Sequence, residues 1–160
     1  MGDFGSFSFQ SSKNLCCGEG GIILTQNQGS ADLCEAIRNC GRLKGAQWYE
    51  HGILAGNFRL AQFSAAVLRA QLVKLESQTK TRDENGRYLD EQLKAVGGLR
   101  PLLRGPEATR VAYHLYILRY DAQSFAGATK AQFVKALTAE GIPASTGYPL
   151  GSRVPSADTS

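Results

Sequence analysis

A lysine in a loop after an apolar strand is the side chain of this sequence best placed for covalent chemistry. Lys13 follows the alternating segment 6–10, SFSFQ, and precedes two cysteines and the turn GEGG at 18–21. Partial burial beside such a turn favours the neutral amine, which can attack a carbonyl carbon. Ser8 lies earlier on the same strand, where its hydroxyl could donate to a phosphate oxygen held near the lysine. On residue type alone, the alternative is an exposed loop lysine without a chemical role.

The elements that must position Lys13 follow from hydrophobic periodicity and turn residues. Segments 6–10 and 20–25 are predicted as two strands joined by the loop that carries the lysine. The glycines of GEGG permit a tight reversal into the second strand. A phosphate-cradling loop is the competing interpretation, but the glycine spacing matches neither the Walker nor the dinucleotide fingerprint.

The rest of the chain is predicted as a series of helices and strands. In chain order these are a helix at 30–40, a structured loop at 41–59, a long amphipathic helix from 60 that continues with a break to about 93, a strand at 112–120, a helix at 129–141 and a strand over IPAST at 142–146. Ser30 is the expected cap of the first helix, and Gly41 would end it. Thr129 and Gln132 match a capping box. Strand, helix and strand after the long helix indicate a small α/β domain.

Composition excludes several classes of protein. The 160 residues carry a net charge of +4, but the positive residues are scattered and form no stripe of the kind that binds nucleic acid. No apolar run reaches the length of a membrane span, and no secretory leader is recognised, so a cytoplasmic protein without a membrane partner is expected. The four cysteines fit neither a zinc nor a redox spacing, and no metal site is predicted.

Three strings, taken in order, resemble one enzyme family. FSFQSSKNLCCGEGGIILTQN is similar to the Schiff-base segment of the DegT/DnrJ/StrS aminotransferases. WYEHGILAGNFRLAQFSAAVLRAQLVKLE resembles the segment through which that family enters its long helix. AYHLYILRY and the later AEGIPASTGYP resemble its small-domain strand and carboxy-terminal turn. The resemblance covers residues 4 to about 150.

The resemblance implies an α/β protein of the fold-type-I class that depends on pyridoxal 5′-phosphate (PLP). It further implies a partial large PLP-binding domain followed by a small α/β domain. The expected division is residues 1–59 for the end of the large domain, 60–96 for the connecting helix region, 97–150 for the small domain and 151–160 for a disordered tail.

The same resemblance implies roles for individual residues. Lys13 would form the Schiff base with PLP and then act as the acid and base of proton transfer. Ser8 would bind the cofactor phosphate. Asn57, and with it Arg59, would reach the cofactor phosphate or the substrate of a partner subunit, so that a homodimer shares the site. For Asn57 the alternative is a turn role in the sequence GNF, since asparagine tolerates left-handed backbone.

Substrate contacts are expected from Arg59, His114 and Tyr148. His114 alternates with Tyr116 on the predicted strand, where packing is the alternative role. Gly147 stands where many relatives carry histidine, which leaves the specificity for sugar nucleotides open. In the aromatic loop, Trp48 and His51 could line a substrate entrance or form a hydrophobic plug.

The implied activity is transfer of an amino group from glutamate or glutamine to a keto group of a nucleotide-linked sugar or a related cyclic ketone. Only twelve residues precede Lys13, and in the family the acidic partner of the PLP ring and its stacking aromatic come from the chain before the lysine. The sequence is therefore expected to be incomplete, and inactive unless another chain supplies those groups. A non-catalytic dimerisation or binding module derived from such an enzyme is the alternative.

Overall fold

The computed structural model describes residues 2–148 as an α/β chain. The elements in order are β1 (Gly5–Ser8), β2 (Gly21–Leu24), α1 (Gln28–Arg38), α2 (Gln62–Leu93), β3 (Leu99–Pro101), β4 (Leu118–Tyr120), a short 3-10 helix (Ala122–Phe125) and α3 (Lys130–Ala139). The chain divides into two units. The first comprises Met1–Glu84 with Thr109–His114, and the second comprises Asn85–Ala108 with Leu115–Ser160.

The first two strands form an antiparallel ribbon, as predicted. Gly5 pairs with Leu24 and Ser8 pairs with Gly21, so the ladder is four residues long on each side. Both strands expose most of their side chains. The segment between Ser8 and Gly21 therefore projects from one end of the ribbon.

Helix α1 begins earlier than predicted, because its cap is Asn27. The side-chain oxygen of Asn27 accepts a hydrogen bond from the Ser30 backbone N–H at 2.8 Å, so the predicted cap at Ser30 is wrong. An asparagine oxygen satisfies a first-turn donor as well as a serine hydroxyl does. The helix ends before Gly41, whose φ of +79° and N–H bond to the Ala36 carbonyl close the last turn.

The long helix α2 is confirmed, but the expected break is wrong, since the helix is continuous over 32 residues. Asp83, on its second half, is buried at 8% exposure and accepts a hydrogen bond from the Val111 backbone N–H at 3.0 Å. Arg110, the residue before Val111, forms an ion pair with Glu76, which also lies on α2. Among residues 2–148, no helix combines the length and the apolar content needed to cross a membrane.

In the second unit, a short antiparallel ribbon stands where a long strand was predicted. Leu99 pairs with Tyr120 and Pro101 with Leu118, so the strand expected at 112–120 is wrong over 112–117. Only three residues have a partner strand there, and β3 itself was not foreseen because two glycines precede it and its last residue is Pro101. The strand predicted over 142–146 is also wrong, since no ladder forms at those residues.

An aromatic cluster supports this second ribbon from one face. The ring of Tyr120 lies 5.2 Å from that of Phe125 and 4.8 Å from that of Phe133, between ring centroids. The Tyr120 hydroxyl donates to the Ala128 carbonyl at 2.7 Å. The capping box of Thr129 that opens α3 is confirmed. The predicted tail at 151–160 lies outside the described residues.

Candidate active site

Lys13 lies in the loop between β1 and β2, where the sequence predicts it. Its backbone N–H donates to the Gln10 carbonyl at 2.9 Å, which closes a turn. The Gln10 side chain reinforces that turn, because its Oε1 accepts from the Ser12 N–H at 2.8 Å and from the Ser12 hydroxyl at 2.6 Å. Lys13 is half-buried, and within residues 2–148 its amine makes no hydrogen bond or ion pair. The backbone is therefore fixed while the amine stays available.

The chain after the lysine returns to the ribbon through a tight glycine turn. The buried Phe9 donates its N–H to the Gly20 carbonyl at 2.8 Å and accepts from the Cys17 N–H at 2.9 Å. Gly18 has a φ of +94°, and a side-chain carbon on Gly20 would lie 2.7 Å from a methyl of Leu60. Positive φ and close approach both require glycine. The tight-turn interpretation of GEGG is confirmed.

Ser8 ends β1 and is exposed at the base of the same loop. Its Oγ accepts from the Gln10 N–H at 3.3 Å, which leaves its own hydroxyl hydrogen free to donate. Ser8 and Lys13 therefore lie at one loop. Gln10 lies between them and forms hydrogen bonds with both.

A second polar cluster follows α1. Asn39 and Asn57 form an antiparallel bridge, and Arg59 links their side chains. Its Nε donates to Asn57 Oδ1 at 3.0 Å, and its Nη1 donates to Asn39 Oδ1 at 3.1 Å. Because a guanidinium only donates, the Asn57 amide must turn its oxygen toward Arg59 and its NH₂ away. The exposed Asn57 thus presents two N–H donors.

The segment 109–114 is attached to the lysine loop through a contact that the sequence did not indicate. Asn14 Nδ2, next to Lys13, donates to the Ala112 carbonyl at 2.8 Å. His114 ends this segment and is exposed, while Tyr113 adopts a positive φ of 42°. His114 and Tyr116 therefore do not alternate along a strand. Tyr116 instead donates its hydroxyl to Asp90 at 2.6 Å, within the second unit.

The aromatic loop is organised by an arginine. The guanidinium carbon of Arg42 lies 5.1 Å from the ring centroid of Trp48 and 4.8 Å from that of Tyr49. His51 donates from Nδ1 to the Cys40 carbonyl at 2.6 Å, since a carbonyl can only accept. Trp48 is 83% exposed, so the hydrophobic-plug interpretation does not describe it within this chain.

Tyr148, the remaining predicted contact, belongs to the second unit and is exposed. The structure thus groups the predicted residues into a loop with Ser8 and Lys13 and a cluster with Asn57 and Arg59. No hydrogen bond joins these two groups within residues 2–148.

Hydrogen bonds shift the pKa values of three side chains of α1. The Gln28 and Lys44 side chains, in that order, hold the pKa of Asp32 below its usual value through hydrogen bonds. The hydrogen bonds from Arg38 likewise lower the pKa of Glu35, and the same pair raises the pKa of Arg38. These ion pairs are exposed, so they stabilise the helix end only slightly.

Comparison with known proteins gives this geometry its context. The sequence matches the DegT/DnrJ/EryC1/StrS aminotransferase family over residues 1–158. The chain belongs to that family.

Curated and solved relatives agree with the family match. The L-glutamine:2-deoxy-scyllo-inosose aminotransferase of Streptoalloteichus tenebrarius is 37% identical over 158 residues, which cover 92% of this chain and 37% of that protein. The crystal structure of S. venezuelae DesV, in complex with a ketimine intermediate, aligns with a TM-score of 0.81 at 28% identity. That alignment covers 96% of this chain and 39% of DesV.

A third comparison concerns the fold alone. The E. coli GDP-4-keto-6-deoxy-D-mannose-3-dehydratase with bound hydrated PLP has a TM-score of 0.75 at 22% identity, over 89% of this chain and 40% of that one. The fold-type-I, α/β assignment is confirmed. The chain spans about a third of the length of the curated relatives it matches.

The residues present suit part of a PLP site. A half-buried amine without a partner in residues 2–148 suits covalent attachment, and the Ser8 hydroxyl and the Asn57 NH₂ suit a phosphate. Within the described residues, no carboxylate bonds to Lys13 or Ser8 and no aromatic ring contact includes them. Among residues 2–148, groups that suit covalent attachment and a phosphate are therefore present, and no group suited to clamp the ring contacts Lys13 or Ser8.

Several residues that shape the site escaped sequence analysis. Each acts through a hydrogen bond or a ring contact: Asn14 and Asn39 with residues distant in sequence, and Gln10 and Arg42 with residues of their own loops. No sequence pattern pointed to Asn14 or Asn39, because their partners lie far away along the chain. Only Gln10, whose partner is two residues away, could have been found from local turn chemistry.

Proposed function

We propose that this protein transfers an amino group from glutamine or glutamate to the keto group of a cyclic polyol or a nucleotide-linked sugar. The observation that carries the proposal is Lys13, an unpaired amine in the described residues on a backbone fixed by Gln10. The family match and the name of the 2-deoxy-scyllo-inosose relative support the reaction and the class of ketone.

Lys13 is proposed as the catalytic residue. Its Nζ would hold the cofactor and then carry a proton from and to the substrate carbon that exchanges the amino group. PLP, when bound, supplies the carbonyl that carries the amino group and an electron-poor ring that spreads the charge left on that carbon. The fixed loop backbone keeps the Nζ atom within reach of one position, which lowers the entropy cost of the proton transfer.

Ser8 and Asn57 are proposed to bind the cofactor phosphate. The Ser8 hydroxyl would donate from the lysine loop. The Asn57 NH₂ would donate to the phosphate bound by a second copy of the chain, as the exposure of Asn57 and its orientation by Arg59 support. A homodimer with a shared site belongs to this proposal, and so does the cytoplasmic location predicted from the sequence.

Substrate recognition is assigned to Arg59, His114 and Tyr148. All three side chains are exposed, and each offers a donor or an acceptor of the kind that a polyhydroxylated ketone requires. Arg59 also bonds to both asparagines, so a substrate contact would use its remaining N–H groups.

The test is chemical trapping at the lysine. Purified chain is incubated with PLP, reduced with borohydride, digested and mapped by mass spectrometry. We expect the phosphopyridoxyl group on Lys13 in the natural chain and in Lys74→Ala, a control at an exposed lysine of α2, and its loss in Lys13→Ala. In a preparation where another chain supplies the missing groups, amino transfer from glutamine to 2-deoxy-scyllo-inosose should fall by at least about a hundredfold in Lys13→Ala. Equal labelling of many lysines, unchanged by Lys13→Ala, would contradict the assignment.

A non-catalytic binding module is the second candidate, and the surface of α2 favours it. Phe63 is 90% exposed and Val73 is 84% exposed, which is unusual for large apolar side chains and typical of a surface that meets another chain. A stable dimer by light scattering, together with no label on Lys13, would support this candidate over the enzyme.

A further inference from the structure

Two arginines face each other across the β3–β4 ribbon. Arg100 on β3 and Arg119 on β4 are direct partners in the antiparallel register. Residues directly opposite project from the same face of a ribbon, with Cβ atoms about 5 Å apart. Both side chains are exposed. The two guanidinium groups can therefore approach one ligand together.

The arginines border a cleft whose lining also includes one carboxylate, that of Asp121. The cleft encloses about 220 Å³ and is lined by Gly98, Arg100, Arg119, Tyr120 and Asp121. The Asp121 carboxylate accepts hydrogen bonds from two uncharged donors, through its Oδ1 from the Gln123 N–H and through its Oδ2 from the Ser124 hydroxyl, both at 3.1 Å. Across residues 2–148, neither arginine forms an ion pair. Like charges placed opposite each other destabilise a ribbon.

The ribbon beneath the arginines is held rigidly. Tyr120 packs against Phe125 and Phe133, and residues next to the arginines in a strand point to the other face. Gly98 has a φ of +83°, and a side-chain carbon there would lie 2.3 Å from Ser124 Cβ. This close approach fixes the ribbon against the 3-10 helix. A rigid base lowers the entropy that a bound ligand must overcome.

We propose that Arg100 and Arg119 form a binding site for a phosphate group. Guanidinium groups pair with phosphate oxygens through two parallel N–H···O bonds. A doubly charged phosphate between the two would also remove their mutual repulsion. The site lies in the second unit and uses none of the residues assigned to the cofactor, so it stands independently of the proposed amino transfer.

The test is titration calorimetry of the PLP-free chain with inorganic phosphate and with pyrophosphate, in sodium chloride of matched ionic strength. We expect affinity to fall by about tenfold or more in Arg100→Gln and in Arg119→Gln, because each removes charge-assisted hydrogen bonds. Arg69→Gln, at an exposed arginine of α2, should bind as the natural chain does. Tighter binding of pyrophosphate would identify a diphosphate ester as the ligand, and tighter binding of phosphate a monoester.

Thermal unfolding supplies a second measurement, in which the arginine variants should melt above the natural chain without phosphate and gain less than it when phosphate is added. In low-salt buffer without phosphate, neutralising either arginine should raise the melting temperature, since the repulsion is relieved. With phosphate added, the natural chain should gain more than either variant. Absence of phosphate binding, or binding that survives both substitutions, would overturn the proposal. If one variant does not fold, the other still decides the question, because both arginines line the cleft.

Discussion

The β1–β2 ribbon and the β3–β4 ribbon are both short antiparallel pairs, yet different contacts hold them. The strands of the first are mostly exposed, and its long loop is shaped by polar bonds centred on Gln10. The second carries half-buried strand residues that rest on the Tyr120 cluster. The first ribbon displays an unpaired amine, and the second displays two guanidinium groups on a packed base.

This difference separates the two ways in which a small element can position a reactive group. Polar turn contacts fix a backbone locally but bury little apolar surface, so such a loop opens at low cost in free energy. Aromatic packing makes a ribbon part of a core, and disturbing it costs more. We therefore expect substitutions in the second ribbon to change stability and those in the first to change chemistry.

The largest expected effect is that of Gly98→Ala in the second ribbon. An alanine at this position would have to adopt a positive φ, and its methyl would overlap Ser124 and Phe125. The free energy of unfolding should therefore fall by about 3 kcal/mol. Gly18→Ala is the matched control in the first ribbon, because Gly18 also has a positive φ but its methyl would meet open space. It should cost about 1 kcal/mol. Urea unfolding of both variants makes the comparison, and equal losses would contradict it.

A smaller effect is expected from Phe133→Ala, which removes one ring of the aromatic cluster. The side chain is half-buried, so the loss should be about 2 kcal/mol rather than the value for a fully buried ring. Phe133→Leu keeps most of the apolar volume and should lose less than half as much. Thermal and urea unfolding supply the measurement. A loss within error of zero would show that the ribbon does not depend on the cluster.

The smallest change in stability is expected from Gln10→Ala in the lysine loop. The Ser12 N–H is exposed and can bond to water instead, so unfolding should change by less than about 1 kcal/mol. Trapping of PLP on Lys13 should nevertheless slow by about tenfold, because the loop backbone that carries the amine is less firmly fixed.

Gln10→Glu keeps the acceptor oxygen for Ser12 and provides the control for that experiment. Its trapping rate should stay close to that of the natural chain. A tenfold slowing in Gln10→Glu as well, or none in Gln10→Ala, would show that the glutamine does not position the lysine.

Local signals in the sequence predicted a good part of the fold. The ribbon around Lys13, the long helix α2 and the capping box of α3 were all anticipated from patterns that involve residues close in sequence. The strand predicted over 112–117 does not form, because residues with strand propensity also need a neighbouring strand to pair with. The preceding residue, Val111, donates its N–H to Asp83 of α2 instead of joining a ladder. β3 was missed because Pro101 and its neighbouring glycines argue against a strand on local grounds.

The sequence by itself determined the chemistry that the chain offers: the loop lysine, the glycine turn that follows it, and the ordered motifs of an aminotransferase family. Those features depend on backbone restrictions and residue types that act over a few positions. Only the tertiary structure decided that Arg59 bonds to Asn39, that Asn14 attaches the segment 109–114 to the lysine loop, and that Arg100 faces Arg119. Such contacts join or orient side chains through the folded backbone, and spacing along the chain carries no record of which distant partner will be near.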